Sequence, residues 1–463
     1  MTELQHLQTC FEGVIPSLIA TCSADGEPNI TYLSQVYFVD RKHVALSCQF
    51  FNKTRRNVAE NPHATVMLQD PLTFETHRLQ LRFVRAETEG PLFDTMSMRI
   101  QVIASHSGMS GIFRLLSADV YEVLSCAPIE GYLMPPDPVL DARAPSIVAG
   151  PMTELRALQD VTERITRAAD LEGLMSEALA ALDECLGFSH SMVLLVDECT
   201  ERLVTLASRG YGAAGIGAEV SLGQGVIGTA AEKRRMVRIS GMGADLRYGR
   251  AIRGRVEAMG ESGKLTPEIP LPGLPDAQAQ LALPLLSSER LVGVLAVESR
   301  DPLGFDEWDE AFLRIVGSQI AVGIDRMLAI EGESESDSAR PRKNGKKTKN
   351  SSSGRKRSFV YYKNDDCVFV DGEYLIRNVP GKILWKILRL RVDEGQIEFS
   401  NRELRLDPTL GLPPIKDNLE SRLILLRKRL AEKCPDVRMV PVKRGRFAVE
   451  IDVEIELVEK EQG

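Results

Sequence analysis

The sequence predicts a multi-domain α+β protein of three bodies, and three observations lead to that fold class. First, 463 residues, 43% of them hydrophobic and 26% charged, are enough to bury several cores. Second, two stretches interrupt all periodicity: prolines at 135, 136, 138, 145 and 151, and a segment over 331–356 that is nearly free of apolar residues. Third, the pattern changes across these breaks. Residues 1–133 read as short strands with tight turns, 152–330 as strands enclosed by amphipathic helices, and 357–463 as strands, three helices and a hairpin.

Composition narrows the chemistry. The eight cysteines stand singly, at 10, 22, 48, 126, 185, 199, 367 and 434, with no C-x-x-C pair and no histidines at zinc spacing. They read as reduced thiols, and no metal site is expected. No apolar run has the length of a membrane span, and the opening MTELQHLQTCFEG lacks the character of a signal peptide, so a cytoplasmic protein with no membrane partner is expected. A net charge of -8 confines any nucleic-acid contact to a local basic face. The segment 331–356 should be a flexible linker; its basic second half could hold DNA phosphates without sequence preference, or be a solvated tether.

In the first body, PSLIATC, NITYLSQVYFV and HVALSC are strands separated by Ala24-Asp25-Gly26 and Asp40-Arg41-Lys42, the pattern of an antiparallel barrel. A short helix then starts near Asn52 and stops at Asn61-Pro62. Free N–H groups, the helix dipole, Lys53, Arg55 and Arg56 together favour an anion there. The alternative is an exposed basic helix face.

The segments IATCSADGEPNITYLSQVYFVD, ALSCQFF and RNVAENPHATV resemble the pyridoxamine 5′-phosphate oxidase-like flavin-binding split barrels over about the first 130 residues. That resemblance implies an N-terminal split β-barrel holding FMN, with Tyr32, Ser34 and Gln35 lining it from one strand, Ser47 and Cys48 from the next, and Lys53 with Thr54 on the phosphate. It leaves open a haem, a deazaflavin or no cofactor. One departure stands out: the family's lysine three residues before the Asn-Val of this helix is Thr54 here, and the lysine is Lys53. No Trp or Arg cluster follows the last barrel strand, ADVYEVLS, so the oxidase activity itself does not carry over. His63, His77 and His106 are isolated and read as surface or packing groups.

In the second body, Leu171, Leu174, Met175, Ala178 and Leu182 recur at helical spacing behind Asp170 as N-cap. Strands SMVLLVD and RLVTLASRGY, the turn SLGQGVIGTAAEKRR, a hairpin turning at 287–290, and a closing helix from Asp306 with Trp308, Phe312, Val316 and Ile320 every fourth residue complete it. This order resembles a GAF domain, a central α/β/α sandwich, over nearly all of 152–328, and implies a small-molecule ligand of unknown identity, a cyclic nucleotide, bilin, haem or metabolite, or none. The irregular stretch 241–278 is expected to be a lid whose Arg247, Arg250, Arg253 and Arg255 clamp an anion or form a solvated helix face. By resemblance, both bodies imply a homodimer.

In the third body, VPGKILWKILRLRVDEG is a helix with Ile383, Leu384, Ile387 and Leu390 inward, and Ser400 with Glu403 forms a capping box on a second helix. A third helix presents Ile415, Leu419, Leu423, Leu426 and Leu430 to a core, leaving Lys416, Asn418, Arg422, Arg427, Lys428 and Arg429 on other faces. A hairpin follows, with its turn at Lys443-Arg444-Gly445-Arg446. A basic helix before a basic hairpin suits DNA. The stretch LESRLILLRKRLAEKCPDVRMVPVKRGRFAVEI resembles the C-terminal winged helix of bacterial response regulators, which implies DNA contacts by Lys416, Asn418, Arg422, Arg427, Lys428, Lys443, Arg444 and Arg446; a protein-docking role is the alternative.

Together these expectations describe a one-component sensor and transcription regulator, coupled by proximity within a dimer because the linker is too flexible to transmit a rotation. No catalytic residues are legible. The alternative is a flavin-dependent oxidoreductase with regulatory appendages.

Overall fold

The computed structural model describes residues 3–49, 53–129, 151–197, 200–211, 215–259, 273–334, 356–363, 366–412, 419–443 and 445–460. Asn52, Cys199, Ile415, Lys416, Asn418, Arg444, the proline-rich boundary at 134–150 and linker residues 335–355 lie outside these. No helix among the described residues is long and apolar enough to cross a membrane.

The first body opens with a 3-10 helix (Leu4–Glu12) and continues β1 (Ser17–Cys22), β2 (Pro28–Leu33), β3 (Val36–Phe38), β4 (His43–Cys48), α1 (Lys53–Glu60), β5 (His63–Gln69), β6 (Thr76–Glu87), α2 (Pro91–His106) and β7 (Ser117–Pro128). Its seven antiparallel strands run in the order β2-β1-β5-β6-β7-β4-β3. β2 and β3 are thus opposite edges, although only Ser34 and Gln35 separate them. Three Cα steps reach about 11 Å, whereas six strand spacings across a flat sheet come to about 29 Å. The sheet must therefore roll up until its edges meet, leaving an unpaired seam between β2 and β3. Alternating residues such as Val66 and Leu68, or Leu79 and Leu81, fill the interior, and Leu4, Leu7 and Phe11 of the opening helix join the same cluster.

The second body comprises α3 (Pro151–Arg167), α4 (Leu171–Leu186), β8 (Ser191–Asp197), β9 (Arg202–Arg209), β10 (Glu219–Ser221), α5 (Gly225–Lys233), β11 (Val237–Ile239), α6 (Met242–Ala258), β12 (Ala279–Ser287), β13 (Arg290–Ser299) and α7 (Glu307–Ser334). Its sheet order is β10-β9-β8-β13-β12-β11. Alternate residues divide between two cores: Val193, Leu195, Leu283 and Leu295 face α3, α4 and α7, while Met192, Leu194, Ala282 and Val294 face α5. Asp170 caps α4 by accepting from the Gly173 N–H at 2.7 Å. In the glycine-rich turn, a Cβ on Gly228 would stand 2.2 Å from the Ser221 carbonyl oxygen, so only glycine lets α5 start against β10.

Two expectations for this body need correction. Trp308 is 67% exposed, while Leu313, Val316, Ile320, Ile324 and Met327 form the buried stripe of α7. A strict four-residue repeat advances about 40° per step relative to a 3.6-residue turn, so Trp308 has drifted off the face that Ile320 occupies. The first part of the expected lid is helix α6. Its Arg253 donates to the Ser107 carbonyl of the first body at 2.9 Å and pairs with Glu257, so it is neither a clamp nor simply solvated. Residues 260–272 lie outside the described set.

The third body contains β14 (Lys356–Tyr362), β15 (Cys367–Val370), β16 (Glu373–Ile376), α8 (Asn378–Asp393), β17 (Glu398–Ser400), α9 (Asn401–Leu406), α10 (Leu419–Lys433), β18 (Val437–Lys443), β19 (Arg446–Ile451) and β20 (Glu454–Lys460). A four-stranded sheet, β16-β15-β14-β20, and a three-stranded sheet, β17-β19-β18, flank the helices. The Ser400–Glu403 capping box is present. The last strand, β20, pairs in parallel with β14 and was not expected from the sequence.

Helix α2 ties the first two bodies together. Met96, Ile100, Ile103 and Ala104 pack on Ala45, Ala118 and Val120 of the barrel wall, while Met98 and Val102 enter the second body's core. Around it, Glu12 pairs with Arg238 at 3.0 Å and Arg99 donates to the Ser240 carbonyl at 2.9 Å. At its C-terminus, burial and then the charge of Arg250 push His106 from an ordinary value near 6.5 down to about 4. The unfolded chain therefore takes up a proton at this site before the folded one does, and stability should fall as pH drops from about 6.5 to about 4. His106→Phe should remove this part of the slope, measured as the denaturation midpoint at several pH values in that window.

Candidate functional site

A groove of about 630 Å³ including its mouth lies among β2, β4, β7 and the start of α1. Thr31, Tyr32, Leu33 and Ser34 line it from β2 and its end, Leu46, Ser47, Cys48 and Gln49 from β4, Thr54 and Arg55 from α1, and Asp119 and Tyr121 from β7. Period-two alternation brings Asp119 and Tyr121 to one face of β7. Helix α1 is held in place by side-chain amides. Asn29 donates to Thr54 Oγ1 at 2.9 Å, and buried Asn57 donates to Thr21 Oγ1 at 3.3 Å.

Five of the seven residues expected around a cofactor come together here: Tyr32, Ser34, Ser47, Cys48 and Thr54. Gln35 does not. Its side chain is buried beneath the opening helix, with Nε2 donating to the Phe11 carbonyl at 2.5 Å. Lys53 does not either; it points to the β1–β2 turn, where Nζ meets Glu27 at 2.6 Å. A one-residue step on a helix turns the side chain by about 100°, so the shift from position 54 to 53 takes the lysine off the groove and leaves the cationic role to Arg55. Arg55 was legible only as part of a basic run, and Asp119 as one of two acids in an otherwise largely apolar strand. Of the isolated histidines, His77 is buried and His63 is exposed.

The electrostatics of the groove are mixed. Burial raises the Asp119 carboxyl above the usual carboxylate range, against a hydrogen bond from Ser117 Oγ at 2.7 Å and the nearby Arg55 charge. Burial, and then Asp119, push the Cys48 thiol up, with Arg55 pulling it back. A guanidinium, several hydroxyls and the positive end of α1 above an apolar floor of Ile19, Leu33 and Leu46 form a donor set suited to a phosphate attached to a flat, largely apolar body.

Residues 4–124 match the family model for pyridoxamine 5′-phosphate oxidase, and residues 168–325 match that for the GAF domain. Both kinds of domain are present in the chain, and the groove lies in the first. No curated protein matches the chain. Among solved structures, the GAF domain from an Acinetobacter phosphoenolpyruvate-protein phosphotransferase is 20% identical, covering 39% of this chain and 97% of that one, with a TM-score of 0.33. An FMN-binding protein from Syntrophomonas wolfei is 17% identical over 28% of this chain and 90% of its own, with a TM-score of 0.23. HupZ from Group A Streptococcus is 19% identical over 28% and 94%, with a TM-score of 0.23. Neither family match extends past residue 325.

The residues expected to meet DNA are dispersed. Lys443 is exposed and Arg446 half-buried at the tip of the β18–β19 hairpin. Arg427 pairs with Glu420 at 2.8 Å. The placement of Arg422 and Lys428 on outward faces is corrected: Arg422 is 5% exposed and paired with Asp197 of β8 at 2.9 Å, and Lys428 donates to the Leu206 carbonyl of β9 at 2.7 Å. Both sit against the GAF domain, which the sequence reading of the third body did not include.

Because Arg55 lowers the pKa of both Cys48 and Asp119, Arg55→Ala should move thiolate formation at Cys48 to higher pH. Alkylation of Cys48 by a small reagent, followed against pH, should show the rate profile displaced upward; Lys53→Ala should leave it in place.

Proposed function

We propose that the protein is a flavin-linked regulator in which the barrel groove holds FMN, the GAF domain takes a small-molecule signal, and the C-terminal body is a winged helix that binds DNA. The observation that carries the flavin reading is the convergence of Arg55, Thr54 and Ser47 at the start of α1, inside the region that matches the oxidase family. Bound FMN would supply a redox couple. Arg55 and the hydroxyls of Thr54 and Ser47 would hold its phosphate, while Ile19, Leu33 and Leu46 would keep water from one side of the ring. Asp119, its carboxyl raised by burial, is placed to hold or release a proton in the groove.

The order of sheet, α8, β17, α9, α10 and hairpin supports the winged-helix reading, with Lys443 and Arg446 on the wing. A homodimer is supported by α7. Trp308, Ile315 and Val322 are 67%, 47% and 61% exposed at seven-residue intervals, an apolar seam along a 28-residue helix. A cytoplasmic location fits this reading.

Visible absorption and FMN titration test the cofactor. Losing one charge-assisted contact should cost about 1.5–3 kcal/mol, so Arg55→Ala should weaken FMN roughly ten- to a hundredfold, and Lys53→Ala should change it little. Absence of flavin binding by the wild type ends this reading, and steady turnover of a nicotinamide donor would instead favour an oxidoreductase. For the dimer, Ile315→Glu combined with Val322→Glu should convert a dimer to a monomer in analytical ultracentrifugation. A monomeric wild type ends the dimer reading.

A further inference from the structure

Helix α10 is buried on two opposite sides. Leu419, Leu423, Leu426 and Leu430 fall on one side and fill the core of the C-terminal body. Ser421, Leu425 and Lys428 fall on the far side and Arg422 on the flank, roughly 70° round from that stripe, yet Ser421, Arg422 and Leu425 are 7%, 5% and 7% exposed. An ordinary surface helix would turn this second side to water.

What covers it is the GAF sheet and its acids. Asp197, 14% exposed at the end of β8, holds Arg422. Leu206 is the extra residue of a bulge, since Val193 pairs with Ala207 and Leu194 with Thr205; the carbonyl it withholds from that ladder is taken by Lys428. Gly217, at φ +78°, lets α10 approach closely, for a Cβ there would stand 3.0 Å from Leu425 and 3.3 Å from Arg429. Glu219 of β10 receives Arg377 at 3.2 Å and Asn378 at 3.4 Å from the start of α8. Glu172 of α4 lies 4.0 Å from Arg427. Basic residues of one body thus meet acidic residues and a bulge carbonyl of the other, around a small apolar contact.

We propose that this contact is an intramolecular latch: the GAF domain masks the second face of α10 and keeps the C-terminal body from its target until a change in the sensor bodies releases it. The consequence for DNA rests on the winged-helix reading above. The major groove admits a helix only when one side of it is bare. In the latched state Arg422 and Lys428 are committed to Asp197 and Leu206, so docking on the GAF domain and entry into a groove exclude one another. The path back to the flavin groove is short in elements, since β8 and β9 belong to the sheet whose other face packs on α5, and α5 packs on α2 of the barrel. A ligand or redox state shifts the latch only by the difference between its affinities for the latched and released forms.

The test uses the full-length protein. Asp197→Leu leaves the Arg422 guanidinium buried without that partner, whereas adding Arg422→Met replaces the pair by apolar groups, which buried contacts tolerate. Amide hydrogen exchange over 419–433 should speed up at least tenfold in Asp197→Leu and return toward wild type in the double variant, while exchange in β13 stays unchanged in both. Duplex DNA should bind Asp197→Leu at least tenfold more tightly than wild type. Faster exchange without DNA binding by any of the proteins supports the latch and sinks the DNA reading. Unchanged exchange at α10 overturns the latch, as does wild-type DNA binding equal to that of Asp197→Leu, or a double variant as loose as the single one.

Discussion

The burial of α2 on two sides is the constraint on which the rest of the molecule depends. This helix joins β6 to β7 and so belongs to the barrel, where Met96, Ile100 and Ile103 close the outer wall. Its Met98 and Val102 are at the same time core residues of the second body. Neither body can shift along α2 without exposing apolar surface of the other, at roughly 25 cal/mol per Å². Polar contacts then select one register: Ser105 Oγ accepts from the Gly225 N–H at the start of α5, and Glu12 receives both Arg238 and Ser240. The barrel and the GAF domain therefore behave as one packed unit, and a change at the groove has a direct mechanical route into the sheet.

The groove itself follows from topology. A seven-stranded sheet whose edge strands are joined by two residues has to roll up, and here those edges, β2 and β3, stay unpaired. Unpaired strand edges beside a helix start leave polar groups facing a space, and the sequence fills that space with hydroxyls, one guanidinium and one carboxyl. Asp119 is raised by burial and Arg55 works in the opposite direction, so each sets the charge state that the other sees. Removing one alters the other as well as any bound anion.

The contact of α10 with β8 and β9 is of a different kind. It is small in apolar content and rich in charge, with a nearly buried Arg422–Asp197 pair at its centre. Buried pairs of this sort contribute little net stability, because desolvation offsets attraction, but breaking one partner is costly. Such a contact specifies a docking geometry without making it permanent, as a reversible contact requires. Together with direct packing of the C-terminal body on the sheet, it offers a route through side chains beside the expected coupling by proximity within a dimer.

Local chemistry was enough for the sequence to determine most elements. Asp170 and Ser400 mark helix starts because their side chains satisfy N–H groups a few residues on. The glycines of 223–228 mark a turn because a Cβ would collide there, and alternating apolar residues mark the strands of all three bodies. Residues that answer to one neighbour in sequence were read correctly. Residues whose partners are remote were not: Lys53 was assigned to the phosphate and turns to Glu27, Trp308 was set in the repeat of α7 and lies off its buried stripe, and Arg422 with Lys428 was set on faces meant for DNA and lies against the GAF domain. Only tertiary structure decided these, because a side chain's direction on a helix changes by about 100° per residue and its partner is set by which body packs there. β20 shows the same limit in the backbone, since its parallel pairing with β14 joins residues almost a hundred positions apart, and no local pattern in either strand specifies the other.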